Sequence, residues 1–223
     1  MNKKLTAFLL IAITLNIIGL YAALVWAPVE LTLGESYRTF YLHVPAAWVC
    51  YLSFGISLIA SILFLKTRNE KYDILADTTA FLGVVYASLT LVLGSIWANV
   101  AWGTYWNWDP RETTTLILWI SYAGYLALRA SIDNIEKRAV LPAIYNIFAF
   151  STVPLSYISI SFWKTLHPSI VSSSGLNITT NMIITLLLNL VASSLVFLFF
   201  LNLLYRIRRY ERVIEESEDV FWR

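Results

Sequence analysis

Six long apolar stretches, at approximately 5–26, 43–65, 74–98, 112–129, 140–161 and 179–205, leave this sequence few ways to fold. A bilayer core about 30 Å thick takes about 20 apolar residues per helix. Within it only a structure that satisfies its own backbone hydrogen bonds is tolerated. The expectation is an all-α membrane protein with six transmembrane helices. The stretches use nearly all of the 223 residues, so 1–223 reads as a single polytopic membrane domain with no room for a soluble one. Composition agrees: 13% of residues are charged and mean hydropathy is +0.66, against about a quarter charged in soluble domains. Lys3 and Lys4 precede the first stretch as they would a cleavable leader. Its run exceeds the roughly 7–15 apolar residues of a leader's core, so it is taken as the first span. Cys50, the single cysteine, lies inside an apolar run. That excludes an intrachain disulfide and CxxC chemistry and reads as a small buried hydrophobe.

With six spans the termini share a side. That side gathers Lys3, Lys4, Lys66, Arg68, Lys71, Arg129, Lys137, Arg138, Arg206, Arg208, Arg209, Arg212 and Arg223, thirteen of the sixteen basic residues. The other side holds Arg38, Arg111 and Lys164. Short loops rich in Lys and Arg stay in the cytoplasm, so both termini are expected to be cytoplasmic, in an inner membrane. Loops 27–42, 99–111 and 162–178 then face outward. The last segment, Arg206 to Arg223, mixes basic and acidic residues and reads as a solvated helix near lipid headgroups.

This orientation sorts the aromatic residues unevenly. Trp26, Trp97, Trp102, Trp106, Trp108 and Trp163 fall at or beyond the outer boundary, with Trp48 and Trp119 in the outer halves of spans two and four. Trp222 alone is cytoplasmic. Interfacial tryptophan belts form at both surfaces, so a belt does not account for this split. The densest part is the loop of about 97–112, which includes Trp102-Gly103-Thr104-Tyr105-Trp106-Asn107-Trp108-Asp109. Exposed, it would form an apolar patch of the kind that marks a binding site, and flat rings suit a large planar apolar ligand. Trp106 and Trp108 alternate, so in an extended segment they share a face, while Gly103 allows a tight turn beside them. Behind them Asp109 is placed to N-cap the fourth span, with Pro110 at its first position and Glu112 at its third, as in a capping box. Arg111 suits a carboxylate, either a ligand's or that of Asp109 or Glu112.

Both histidines, His43 and His167, fall on this same outer side. Pro45 is tolerated in a first helical turn, which puts His43 at the start of the second span. Pro168 biases His167 towards extended loop geometry. A boundary histidine is commonly a satisfied polar residue, but two from different outer segments beside an aromatic platform can ligate an iron axially. Tryptophans then cover the macrocycle, and Arg38 and Arg111 face its propionates. The chain carries no CxxCH of a c-type cytochrome, no phosphate loop and no nucleophile–base pair, and nothing in it suggests nucleic acid.

The stretch Trp102-Gly-Thr-Tyr-Trp-Asn-Trp-Asp109-Pro-Arg-Glu-Thr113 resembles the WWD signature of haem-handling membrane proteins in cytochrome c biogenesis. Together with His43-Val-Pro-Ala-Ala-Trp48 and Trp163-Lys-Thr-Leu-His167, it is similar to the CcmC branch, the haem exporter protein C family. The resemblance implies haem b bound at the outer face, with His43 and His167 as axial ligands. It makes Trp97, Trp102, Trp106, Trp108 and Asp109 the platform and Arg38 and Arg111 supporting groups. It also implies delivery of haem to a CcmE-type chaperone, beside CcmA/CcmB-type ABC transporter subunits and a CcmD-like small subunit, any ATP-driven step belonging to those partners. Tyr105 departs from that branch, which usually has tryptophan there, and Pro110 and Glu112 look like the CcsA and CcmF haem lyases. Those relatives carry a further histidine pair within the membrane, which this chain lacks. The rival readings are a lyase that attaches haem to apocytochrome, and an aromatic docking scaffold that never touches haem.

Overall fold

A computed structural model describes residues 3–167, 171–172, 175–176 and 179–221, so Pro168, Trp222 and Arg223 lie outside the described residues. The chain is helical almost throughout. Helix α1 (Lys3–Tyr21) runs into a π turn at Ala22–Trp26, and a 3-10 turn at Glu35–Thr39 leads into α2 (Phe40–Thr67). Then come α3 (Glu70–Trp102), α4 (Pro110–Ala130), α5 (Ile135–Ala149), α6 (Thr152–Phe162) and α7 (Thr180–Phe221). Strands β1 (Val171–Ser172) and β2 (Gly175–Leu176) pair antiparallel between α6 and α7. Among the described residues five segments are long and apolar enough to cross a membrane: Lys3–Trp26, Glu35–Thr67, Glu70–Trp102, Ile135–Phe162 and Thr180–Glu215. The stretch expected as a fourth span is α4, whose 21 residues extend about 31 Å but whose apolar character is diluted by Arg111, Glu112 and three threonines.

Lipid, not a water-excluding core, is the neighbour of much of this surface. Along α1 only Ala12 and Gly19 are buried, as in a helix that is apolar all round. It is fastened to α7 by polar glue: Asn16 Nδ2 donates to Ala192 O (3.0 Å) and Asn189 Nδ2 to Gly19 O (3.0 Å). Between membrane helices such bonds and small residues replace the hydrophobic drive. The α2–α3 hairpin uses the same device. Ser53 and Ser57 donate to the carbonyls of Thr79 and Ala76 (both 2.7 Å), and Asn146 of α5 reaches Ser57 and Ser61. A packed cluster of Cys50, Phe54, Ala87, Leu118, Tyr122, Ala149 and Val153 fills the middle, with the Phe54 and Tyr122 rings stacked at 3.5 Å.

Three departures from the sequence reading matter for the site. First, the 3-10 turn and Phe40 start the second span early, so His43 lies one turn inside α2 and Pro45 falls within the helix. Second, the stretch 140–161 is two helices. Pro154 has no amide for the Phe150 carbonyl, and three-residue turns bridge the break: Ser151 N to Phe148 O (3.1 Å) and Val153 N to Phe150 O (2.9 Å).

Third, the tail is not merely solvated. It continues α7 and docks through Arg208 and Arg212. Asp73 accepts from Arg129 Nη1 and Nη2 (2.7 and 2.8 Å) and from Arg212 Nη2 (2.9 Å), while Asp77 pairs with Arg129 Nε (3.2 Å) and Arg208. Asp73, Arg129 and Arg212 are all buried. Removing one partner of such a network strands the others, at a cost of about 3–5 kcal/mol. Asp73→Asn is therefore expected to lower detergent-solubilised thermal stability by several degrees or to reduce accumulation in the membrane. An unchanged melting curve would show that the network contributes little.

Candidate functional site

At the opposite end of the bundle, the ends of α2, α3, α4 and α6, with Leu190 of α7, enclose a cavity of about 450 Å³. Its wall on α3 is set by helical repeat: Thr90, Gly94 and Trp97 share one face. His43 projects from α2, Trp106 and Arg111 come from the loop and the start of α4, and His167 enters from the segment after α6. The two imidazoles, 124 residues apart in the chain, stand with ring centroids 6.5 Å apart. A metal–imidazole bond is about 2 Å, which places two rings sharing one metal about 6 Å apart centre to centre. His43 Nδ1 and His167 Nδ1 are both buried with no hydrogen-bond partner, as is Trp97 Nε1. Burial above all, with His43 and Arg111 nearby and only Asp109 opposing, lowers His167 to about 4. Its imidazole is therefore neutral at physiological pH, the form that binds metals.

His167 is seated among rings and held from behind. Trp97 and Trp102 each lie 5.7 Å from it, and 5.5 Å from each other. The Asp109 carboxylate, buried and away from the cavity lining, accepts from Thr165 Oγ1 (2.8 Å) and Leu166 N (2.7 Å), just before His167. It also accepts from Arg111 N (2.9 Å) at the head of α4. The expected cap is therefore real, but its partner is the second helical amide, and Glu112 reaches back to Asn107 N (3.1 Å) instead of to the cap residue. Asn107 supplies the missing link by accepting from Asp109 N (2.9 Å).

The aromatic loop does not run extended. Gly103 (φ 77°) ends α3, donating to Asn99 O, and Trp108 also adopts a left-handed conformation (φ 63°). That twist breaks the alternation. Trp106 lines the cavity, whereas Trp108 is 70% exposed and meets Trp106 edge-on at 5.7 Å. Arg38 is not brought to the cavity. It pairs with Glu35 and donates to Ala23 O (2.9 Å) and Ala27 O (3.3 Å), closing the carbonyl end of the π turn. Arg111 does line the cavity, and its Nη1 donates to the α6 carbonyls of Ser156 (3.0 Å) and Tyr157 (2.9 Å). Among the described residues no carboxylate pairs with it, neither Asp109 nor Glu112. It is a cation held at the wall by two carbonyls and the face of the Tyr157 ring.

These features suit a planar apolar ligand with an iron centre and carboxylate edges. Among the described residues no group of three or more His, Cys, Asp or Glu is arranged around a metal ion. Two imidazoles suffice where a macrocycle supplies the remaining ligands. A second cavity of about 430 Å³, beside the ionic network, is lined by Arg129, Arg138, Arg208 and Arg212 and by as many acidic residues, Asp77, Asp133, Glu211 and Glu215. Its balanced charge selects no ligand.

Gly94 is a site residue that residue-type reasoning passes over, although its helical phase with Trp97 marks it. A Cβ there would stand 2.9 Å from His43 Cε1 and 3.4 Å from His43 Nδ1. Gly94→Val is expected to push the His43 ring aside and to reduce, by about tenfold, the haem that the resemblance assigns to this cavity, with accumulation of the protein unchanged. Haem-to-protein ratio after purification measures it, and a ratio equal to wild type would show that His43 does not need this cradle.

A family model described as CcmC, Heme exporter protein C, matches residues 1–220. The putative cytochrome c biosynthesis ccmC-like mitochondrial protein of Marchantia polymorpha is 35% identical over 175 residues, covering 78% of this chain and 74% of that protein. Heme exporter protein C of Bradyrhizobium diazoefficiens is 33% identical over 182 residues, covering 81% and 69%. That of Escherichia coli K12 is 32% identical over 142 residues, covering 64% and 58%.

Proposed function

The chain belongs to the haem exporter protein C family, haem-handling membrane proteins of c-type cytochrome biogenesis, and on that premise we propose that it holds haem at the outer face of the inner membrane and hands it to a CcmE-type chaperone. The observation that carries this reading is the convergence of the chain's two imidazoles, 6.5 Å apart, on one aromatic-walled cavity. His43 and His167 serve as axial ligands of haem b. Trp97 and Trp106 cover its faces, Trp102 packs behind His167, and Arg111 receives a propionate. Trp108, exposed at the tip, is offered to the recipient. Asp109 and Arg38 act through structure: the one fixes the His167 segment, the other the end of α1.

In this reading 1–223 is a single polytopic membrane unit of six spans. Its termini are cytoplasmic and its loop 97–112 lies outside, following the distribution of Lys and Arg. Its work is transfer, not bond making. The aromatic wall lowers the cost of holding haem at the bilayer surface, and the His167 loop can release its hold when the chaperone competes. CcmA/CcmB-type subunits and a CcmD-like protein are the proposed neighbours. The test is spectroscopic. Protein purified in detergent after expression with excess haem is expected to show a bis-imidazole Soret band that moves to an added CcmE-type chaperone. A colourless protein sinks the reading. Covalent haem attachment to apocytochrome without the chaperone would replace it with a lyase.

A further inference from the structure

The break between α5 and α6 opens the cavity sideways. Below it, α5 packs on both α2 and α4. Above it, α6 stays on α4 and makes no extended contact with α2. The two helices part above a hydrogen bond between Tyr51 and Ser156 (3.0 Å). One wall of the resulting wedge carries Val44 and Trp48 of α2, backed by α7, since Trp48 Nε1 donates to Ser194 Oγ (3.3 Å) and Leu190 also lines the cavity; the other carries Tyr157 and Ile160 of α6. Trp48 is 50% exposed and Tyr157 65% exposed, although both sit in segments apolar enough to lie in lipid. The wedge is therefore open at the level of the bilayer, not only at its surface.

Downward the cavity is closed. Tyr51, Ser156 and Thr115 form a hydroxyl chain at its floor, with 3.0 Å between Thr115 and Ser156. Beneath it lies the buried cluster that includes the stacked Phe54 and Tyr122. A flat ligand has no path through that core. Arg111, held by the carbonyls of Ser156 and Tyr157 and lying 5.9 Å over the Tyr157 ring, stands at the inner edge of the opening.

We infer that the wedge between α2 and α6 is a lateral slot through which haem passes edge-on between the outer leaflet and the imidazole pair. The inference rests on the haem-loading function proposed above. The chain then takes its cargo from the lipid phase and does not conduct it from the opposite face.

The experiment seals the slot. Val44→Cys and Ile160→Cys are combined in a Cys50→Ala background and joined by a reducible bifunctional thiol reagent. Uptake is followed by the Soret band from vesicles preloaded with haem. The sealed protein is expected to take up haem at least about tenfold more slowly than the unsealed variant. Reduction of the linker restores the rate, and haem bound before sealing stays bound. Uptake by the sealed protein at the unsealed rate overturns the slot. A protein that is colourless in every state, wild type included, overturns the haem reading itself, a separate outcome. Should the Val44 pair not assemble, Ala47→Cys with Ile160→Cys bridges the same two walls and is read in the same way.

Discussion

Alanine at either His43 or His167 is expected to remove the bis-imidazole Soret band and reduce bound haem by about tenfold or more. Both replacements should act alike on the proposed ligation, in which the two rings, 6.5 Å apart between centroids, share one iron. One nitrogen of each ring, Nδ1, is buried without a hydrogen-bond partner. On the proposed ligation, loss of either would leave five-coordinate iron, whose spectrum differs from that of a merely misfolded, haem-free protein. Free imidazole added to the alanine variants should restore the six-coordinate band. If His43→Ala or His167→Ala keeps the wild-type spectrum, that residue is not a ligand. If both lose haem and imidazole restores nothing, the histidines act through packing instead.

Asp109→Ala should rank next, although this carboxylate does not line the cavity. It accepts Arg111 N, Thr165 Oγ1 and Leu166 N, at 2.9, 2.8 and 2.7 Å. Alanine leaves those part-buried donors without their acceptor, each at no more than about 1–3 kcal/mol, and deletes a helix cap worth about 0.5–2 kcal/mol. The segment bearing His167 then loses its tether to α4. Haem affinity is expected to fall by about 10–100-fold, the range for groups that orient a metal's ligands, with His43 still bound and heterogeneous coordination on the His167 side. Thr165→Val removes one of the three bonds to Asp109, together with the one from His167 N to Thr165 Oγ1 (3.0 Å), but keeps the Leu166 and Arg111 bonds, and should give a smaller loss with the same spectral signature. Asp109→Asn retains an acceptor for the Arg111 amide but offers one oxygen where two are used, so its loss should fall between. Wild-type haem affinity in Asp109→Ala would show that His167 is held by the tryptophans alone.

What the sequence made legible was local. Asp109 as a cap, Gly103 as a turn and His167 on a loop each follow from residue types a few positions apart. Arg38 was expected at a propionate, although Glu35 three residues before it, at the spacing of a helical ion pair, was the signal for the partner it takes. What escaped was long in range or conformational. Asp73 meets Arg212 across 139 residues, and no pattern in either segment announces the other. Trp108 takes a positive φ without being glycine, so alternation misdirected it. Pro154 lies within a stretch apolar enough to be read as one span, and hydropathy does not register a missing amide. Its effect on where α6 leans is a matter of packing. The aromatic wall was therefore foreseeable, whereas the wedge beside it was not.

The ionic network has a consequence for how the chain is made. Ribosomes deliver α3 with Asp73 and Asp77 before any arginine of the network exists. Arg129 arrives 56 residues after Asp73 and can neutralise it at once, so the α3–α4 pair is able to form while the rest is still being synthesised. Arg208 and Arg212 follow about 80 residues later, a delay of about 4–16 s at typical translation speeds. Throughout that interval Asp77 has half of its eventual counter-charge. Docking of the last helix is thus the step that completes charge balance, and a nascent chain truncated before Arg208 would present an unfinished acidic notch to the cell's quality control.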